Sequence, residues 1–363
     1  METEHLKPLE HEMLVCTRCG YCKVVCPSFE SILWDSAIPR GRVILAYGLL
    51  EGELEPDDSV INRLYQCTTC KFCEVECPSD VRIVDIIESA RADLLQHGNC
   101  LPIHDKIIGS IKKFGNPYGE EKSRLENFDK EPHKAEIGYF MGCTSGYREL
   151  KIANATLSIL DKLDTDYTVV NEKCCGSVLQ RVGGYEDDLK ELVKYNLKQI
   201  EDLGIKTLVL SCAGCYRMFK EEYPKFADVN FEVLHVVEYL ARQDLNLKPY
   251  PKKITYHDPC HLGRHVGVYD APRELIKKIP EAEFEEMPAN RERANCCGGG
   301  GGLRSGFPDV SASIAGRRVN EAKFADELLT ACPFCVNNLK IEVEDGEQEL
   351  PVKDIVELID ELL

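Results

Sequence analysis

Asn295-Cys296-Cys297-Gly298-Gly299-Gly300-Gly301-Gly302 is the stretch on which the reading of this chain turns. Two adjacent thiols followed by a run of glycines are costly to order, because glycine loses more backbone freedom on folding than any other residue. In extended backbone, neighbouring side chains point to opposite faces, so both sulfurs reach one centre only where the chain kinks, and glycine permits the kink. Glycine also allows backbone to come close to a bulky inorganic group. The device recurs upstream as Cys174-Cys175-Gly176.

Around each copy the texture is the same. From Ala135 onward, short apolar runs alternate with helical patterns, which predicts a parallel-sheet α/β arrangement. Expected strands at 137–141, 167–170 and 207–210 run into Cys143, Cys174-Cys175 and Cys212-x2-Cys215, with a helix at 187–203 and residues 233–240 leading into a closing helix. The second half repeats this. Residues 254–256 lead through His257-Asp258-Pro259 to Cys260, 284–287 precede Cys296-Cys297, 310–327 read as helix, and 328–330 enter Cys332-x2-Cys335. Cys143 to Cys260 is an offset of 117, Cys215 to Cys335 one of 120, and Val236-Val237-Glu238 matches Ile355-Val356-Glu357 at 119. Two duplicated, Rossmann-like α/β domains are therefore expected at 135–245 and 253–363, packed as a pseudo-twofold pair. Their cysteines lie past the carboxyl ends of strands, where open α/β sheets bind ligands.

The first hundred residues carry a different pattern. Cys16, Cys19, Cys22 and Cys26 follow C-x2-C-x2-C-x3-C and precede Pro27; Cys67, Cys70, Cys73 and Cys77 repeat it at an offset of 51 and precede Pro78. This is the two-cluster ferredoxin run, in which the fourth cysteine of each set serves the other cluster. Cys16, Cys19, Cys22 and Cys77 are assigned to one cubane [4Fe-4S] cluster, and Cys67, Cys70, Cys73 and Cys26 to the other. Zinc also takes paired C-x2-C motifs, but the third cysteine and the Cys-Pro ending speak against it. Helices are expected at 43–50 and 81–97, making residues 1–100 a helical ferredoxin-like domain. Residues 101–134 hold one helix, 104–114, and otherwise read as a breaker-rich linker. Cys100 fits no pattern and reads as a small apolar side chain.

Each later half gathers five cysteines: Cys143, Cys174, Cys175, Cys212 and Cys215, then Cys260, Cys296, Cys297, Cys332 and Cys335. A cubane takes four thiolates, so one sulfur per half is surplus. It is either a free thiol beside a cluster or a bridge that distorts one, and both suit sulfur chemistry better than plain relay. The net charge of -18 argues against nucleic acid or an anionic membrane surface as main partner. With no secretory signal and no apolar run near the roughly 20 residues that span a bilayer, a cytoplasmic location is expected, with any membrane association through a partner. In that setting the 19 cysteines should be thiols or metal ligands rather than disulfides. The glycine run is not a dinucleotide fingerprint, since cysteines precede it and no ribose-binding acid follows convincingly. Without a flavin motif or a P-loop lysine, flavin would belong to another subunit.

Taken together, these motifs resemble the cysteine-rich, CCG-domain iron-sulfur oxidoreductases, in which a cysteine, Cys-Cys-Gly and C-x2-C occur twice behind two ferredoxin motifs. Cys296-Cys297 with its glycines, His257-Asp258-Pro259-Cys260-His261 and Gly115-Asn116-Pro117-Tyr118-Gly119 are most similar to the catalytic subunit of heterodisulfide reductase, in the form that fuses both parts. The resemblance implies two noncubane [4Fe-4S] clusters, one on each five-cysteine set with Gly176 and Gly298 beside them, facing each other across the pseudo-twofold axis. It implies cleavage of the disulfide of coenzyme M and coenzyme B between them, with all ten cysteines catalytic and electrons delivered through the two cubanes. The implied partners are an electron-donating flavin, haem or ferredoxin subunit and small-molecule thiols. The alternative is the electron-transfer subunit of a flavin-dependent glycolate, lactate or glycerol-3-phosphate dehydrogenase. Three weaker candidates are His261, as proton donor to a released thiolate or as a core histidine, and Arg264 and Arg304, as holders of an anionic substrate tail or as surface arginines.

Overall fold

In the computed structural model, which describes residues 1–345 and 349–363, two parallel sheets organise the last two thirds of the chain. β1 (Ile137–Phe140), β2 (Tyr167–Val169), β3 (Thr207–Leu210) and β4 (Glu232–His235) lie in the order β2-β1-β3-β4. β5 (Lys253–His257), β6 (Glu283–Phe284), β7 (Glu327–Thr330) and β8 (Val352–Asp354) lie in the order β6-β5-β7-β8. The central strands are buried on both faces, as Tyr139, Phe140, Leu208, Val209 and Leu210 show. Parallel strands covered by helices on both sides read as such continuous apolar runs.

The strand order reverses between β1 and β3 and again between β5 and β7. At such a reversal the connections leave toward opposite faces, and a crevice opens beyond the carboxyl ends of the strands. Cys143 follows β1 and Cys212 follows β3, while Cys260 follows β5 and Cys332 follows β7. The duplication therefore brings both ends of each cysteine motif to the crevice of its own sheet.

Three expected elements differ. The sequence pattern gives no sign of the fourth strand of each sheet: residues 233–240 divide into β4 and the helix Val236–Ala241. His235 caps that helix by accepting from Val237 N while Glu238 takes the His235 N–H, and Asp354 and Glu357 do the same for Ile355–Leu362. The expected helix at 310–327 is Pro308–Glu321, because the chain turns after Ala322 and Glu327 already pairs in β7. The strand expected at 284–287 stops at Phe284, and Pro288 follows.

The halves exchange equivalent contacts. The helix Leu150–Lys162, after β1, packs on the closing helix Ile355–Leu362 of the other half; the helix Asp270–Lys277, after β5, packs on Val236–Ala241. Leu358 and Ile359 are wholly buried, and Lys162 reaches Asp360 at 2.8 Å on the rim.

The first hundred residues are helical: Pro39–Leu50, Asp58–Tyr65 and Ile83–Gln96, followed by Pro102–Phe114. Proline opens two of them, where its missing N–H costs nothing. Ile86, Ile87, Ala90 and Leu94 form the buried stripe of the third. Arg91 on the same helix is fully buried and donates to four carbonyls, of Leu64, Cys67, Arg181 and Gly301, at 2.6 to 3.1 Å. One guanidinium thus joins all three parts. Residues 101–134 do more than connect: His104, Asn116 and Arg124 are buried, and Tyr118 bonds Thr144 at 3.0 Å. No helix among the described residues is long and apolar enough to cross a membrane.

Candidate metal centres

The thiols gather into four groups. Cys16, Cys19, Cys22 and Cys77 line one cavity near the amino terminus, so the fourth cysteine of the second run does meet the first three of the first. In the other group, burial and then the neighbouring thiols Cys70, Cys67 and Cys26 push Cys73 well above the ordinary thiol range. Cys26 also accepts from Arg42 Nη1 at 3.7 Å, and Cys67 from Thr69 N at 3.3 Å.

In the first sheet's crevice Cys143 lies beside Cys174, and the neighbouring thiols Cys174 and then Cys215 hold the Cys175 thiol below its ordinary range. The kink is visible: Gly176 has φ +92° and its N–H points at Cys174 Sγ, 3.4 Å away. Asn196 clamps the loop, accepting from Lys173 N and donating to Cys174 O. Beside Cys143, Arg124 Nη2 lies 3.6 Å from the sulfur and its Nη1 2.6 Å from Glu172. Glu172 also accepts from Gly142 N at 2.6 Å, and burial pushes its carboxyl up to about 7.

The second crevice repeats the geometry. Gly298, φ +84°, donates to Cys296 Sγ at 3.4 Å, and Asn338 donates to Cys297 O at 2.6 Å. Cys296 lies beside Cys260 and Cys297, and Cys297 beside Cys335, each thiol shifting its neighbour's titration. A ring nitrogen of His257 and the sulfurs of Cys297 and Cys335 all lie within 4.8 Å of one another.

Two contacts link the groups. Cys70 of the amino-terminal module packs beside Cys296, and the Cys212 and Cys332 thiols lie close enough across the two halves to act on each other's charge. The loop that carries Cys70 is gripped by its carbonyls: Arg91 takes Cys67 O, His265 Nε2–H takes Thr69 O at 3.0 Å, and Arg264 takes Cys70 O at 2.7 Å. Arg217, two residues after Cys215, donates to His265 Nδ1 at 2.9 Å.

Several expectations change here. The glycines past Gly298 face protein: a Cβ on Gly300 would meet Thr68 O at 2.9 Å, one on Gly301 would overlap Cys67 O, and one on Gly302 would meet His104 Nε2 at 2.8 Å. Their smallness lets this turn nest on the amino-terminal loop. Arg264 is a part-buried clamp on Cys70 O, and Arg304 bonds Asn337. His261 is stacked edge-on with His265 at 4.4 Å, its Nε2 is buried without a partner, and burial holds it well below the ordinary histidine range. Sequence reasoning misses Arg124, Glu172, Arg217, His265 and Arg318, since only the fold brings them to the thiols; nearness to motif cysteines, as in Cys215-x-Arg217, is a signal for Glu172, Arg217 and His265 and is lacking for Arg124 and Arg318.

The donor set fits iron-sulfur clusters. Sulfurs in groups of four or five, most of them buried outside the first group, backbone N–H groups aimed at them and nearby guanidinium groups answer the needs of an anionic, thiolate-held metal group. Fold and sites together define an iron-sulfur oxidoreductase. A family model described as a cysteine-rich domain matches residues 137–220 and 254–340, and one described as a 4Fe-4S dicluster domain matches 12–81. The chain is 36% identical to a dihydromethanophenazine:CoB–CoM heterodisulfide reductase subunit of Methanosarcina mazei, with 100% of this chain and 97% of that one covered. It is 32% identical to a fumarate reductase (CoM/CoB) subunit of Methanothermobacter marburgensis, covering 98% of this chain and 74% of that one. It is 27% identical to a probable glycolate oxidase iron-sulfur subunit of Bacillus subtilis, covering 92% and 90%. The chain belongs to the cysteine-rich-domain iron-sulfur oxidoreductase family, alongside the heterodisulfide reductase of Methanosarcina mazei.

Proposed function

We propose that this chain is the disulfide-reducing subunit of a heterodisulfide reductase-type complex. The observation that carries the reading is the pair of complete five-thiol groups meeting at Cys212 and Cys332, which gives a substrate with two sulfurs one group for each. The reciprocal helix contacts support a pseudo-twofold axis through that meeting point. When bound, two cubane and two noncubane [4Fe-4S] clusters would supply one-electron relay at the amino-terminal groups and iron able to take up substrate sulfur at the other two.

The chain's own residues hold and order these sites. Cys16, Cys19, Cys22 and Cys77 would hold the outer cubane, and Cys67, Cys70, Cys73 and Cys26 the inner one, whose loop touches the second crevice through Cys70 and Cys296. Cys143, Cys174, Cys175, Cys212 and Cys215 would hold one noncubane cluster, and Cys260, Cys296, Cys297, Cys332 and Cys335 the other. His261, enclosed beside Cys260, would exclude water and shape the site. The donor would be a separate redox subunit and the substrate a small-molecule disulfide of the CoM-S-S-CoB type.

A second reading is an electron-transfer subunit of a flavin-dependent dehydrogenase, favoured by the similarity to a glycolate oxidase iron-sulfur subunit. Anaerobically prepared protein should carry on the order of 16 irons per chain. Electron paramagnetic resonance of oxidised protein with and without candidate thiols separates the readings: a thiol-induced signal supports the reductase, and silence with every thiol supports relay.

A further inference from the structure

The two crevices are built alike, yet one position beside the thiols differs in kind. His257 ends β5 and pairs across the sheet with Thr330; Phe140 ends β1 and pairs with Leu210. Each stands three residues before the first cysteine of its set, and each strand partner stands two residues before the C-x2-C pair. Register and spacing both make them counterparts. Phe140 is fully buried and packs edge-on against Phe219, ring centroids 5.1 Å apart. It presents no polar group. His257 is equally buried, and it sits within 4.8 Å of Cys297 and Cys335 Sγ.

The imidazole is oriented from behind. Arg318, also fully buried, donates Nε–H to His257 Nδ1 at 2.9 Å and is itself anchored by Ala289 O at 2.9 Å and by Glu321. A guanidinium only donates, so Nδ1 must offer its lone pair and the ring proton must sit on Nε2. His257 Nε2 is buried and has no hydrogen-bond partner. A nitrogen that carries a proton has no lone pair for iron. Of the two uses open to a histidine among thiolates, ligand or donor, Arg318 leaves the second.

We propose that His257, held by Arg318, is a positioning residue whose Nε2–H points at the Cys297 and Cys335 sulfurs and makes the second five-cysteine centre easier to reduce than the first. The inference rests on the reading that both sets hold clusters. Donors onto cluster sulfurs stabilise the extra negative charge of the reduced state. Guanidinium groups stand by both centres, Arg124 by Cys143 and Arg264 and Arg181 by Cys260, so it is the exchange at His257 that isolates what the imidazole adds. The centre touching the electron-delivering module through Cys70 is then the one that retains an electron more readily.

An anaerobic redox titration of the full chain, followed by electron paramagnetic resonance with iron and sulfide measured on the same samples, tests this. His257→Phe, which copies the first half, should lower the reduced-to-oxidised ratio of the second centre about tenfold at fixed potential, which is 59 mV for one electron. The two titrations should then draw together. His257→Gln, which keeps an N–H, should retain most of the wild-type ratio, and pulsed spectra of wild type should show an exchangeable proton coupling lost in D2O. A fully loaded His257→Phe that titrates like wild type overturns the inference. So does a strong, directly bonded nitrogen coupling in wild type, or loss of iron from His257→Phe, since either would make the histidine a ligand. Absence of a second centre in wild type would instead overturn the underlying reading.

Discussion

Arg124 and Glu172 form an ion pair buried beside Cys143, with side-chain exposures of 3% and 0%. Removing Arg124 leaves the Glu172 carboxylate without its cation, or forces it to take up a proton, in a site that water does not reach. Arg124→Met should therefore cost about 3–5 kcal/mol, and the first crevice should lose its iron before the other sites do; iron counts and thermal unfolding of the same samples check this. Adding Glu172→Gln should recover much of the loss. His104 gives a second test. Burial pushes it down to about 4 from 6.5, so between those values the unfolded chain binds a proton that the folded chain does not. Stability is full above pH 6.5 and falls as pH drops through that window, by at most about 3 kcal/mol. His104→Asn should flatten the difference between urea midpoints at pH 7.5 and 5, and an unchanged difference would sink the assignment. At this scale the cysteines are legible in the sequence because metal ligation imposes spacing along the chain. Arg124, Arg318 and Arg217 are not, because their partners are carbonyls, carboxylates and imidazoles that only the folded backbone brings within reach.

Among the elements, the glycine turn after Cys297 leaves little room for a side chain. Gly301 has φ +65° and a side chain there would run into Cys67 O. Gly52 has φ +70° with open space around it, so Gly52→Ala should cost only the left-handed backbone penalty of about 1–2 kcal/mol. Gly301→Ala should cost clearly more in thermal unfolding, and the difference reports the nesting of this turn on the amino-terminal loop. Equal losses would mean the contact carries nothing. The central strands β1, β3, β5 and β7 are legible as apolar runs ending at cysteines. β4 and β8 are obscured because each passes straight into a helix at its capping residue, His235 or Asp354, leaving no breaker to mark the change. The helix expected at 310–327 comes out shorter for a related reason: its period continues through a turn whose residues keep the apolar spacing.

For the molecule as a whole, the two halves hold each other through the helix pairs at their shared face. Ile359 is wholly buried there, and Ile359→Ala should cost about 2–5 kcal/mol. Lys162→Ala removes a rim ion pair and a bond to Asp360 O, both exposed, and should cost about 0–1 kcal/mol; paired denaturation curves compare the two. The duplication is visible in offsets of 117 to 122, but how the amino-terminal module seats on it is not, since single residues do the joining. Arg91 is the extreme case. Its acceptors include Gly301 O, 210 positions further on, which at 5–20 residues per second leaves the ribosome roughly 10–40 s later. Through that interval the nascent leading third has a guanidinium short of acceptors that backbone still being translated must provide. Its final closure belongs to the end of synthesis, and a truncated leading fragment made alone should stay loose around Arg91 and exchange its amides there quickly.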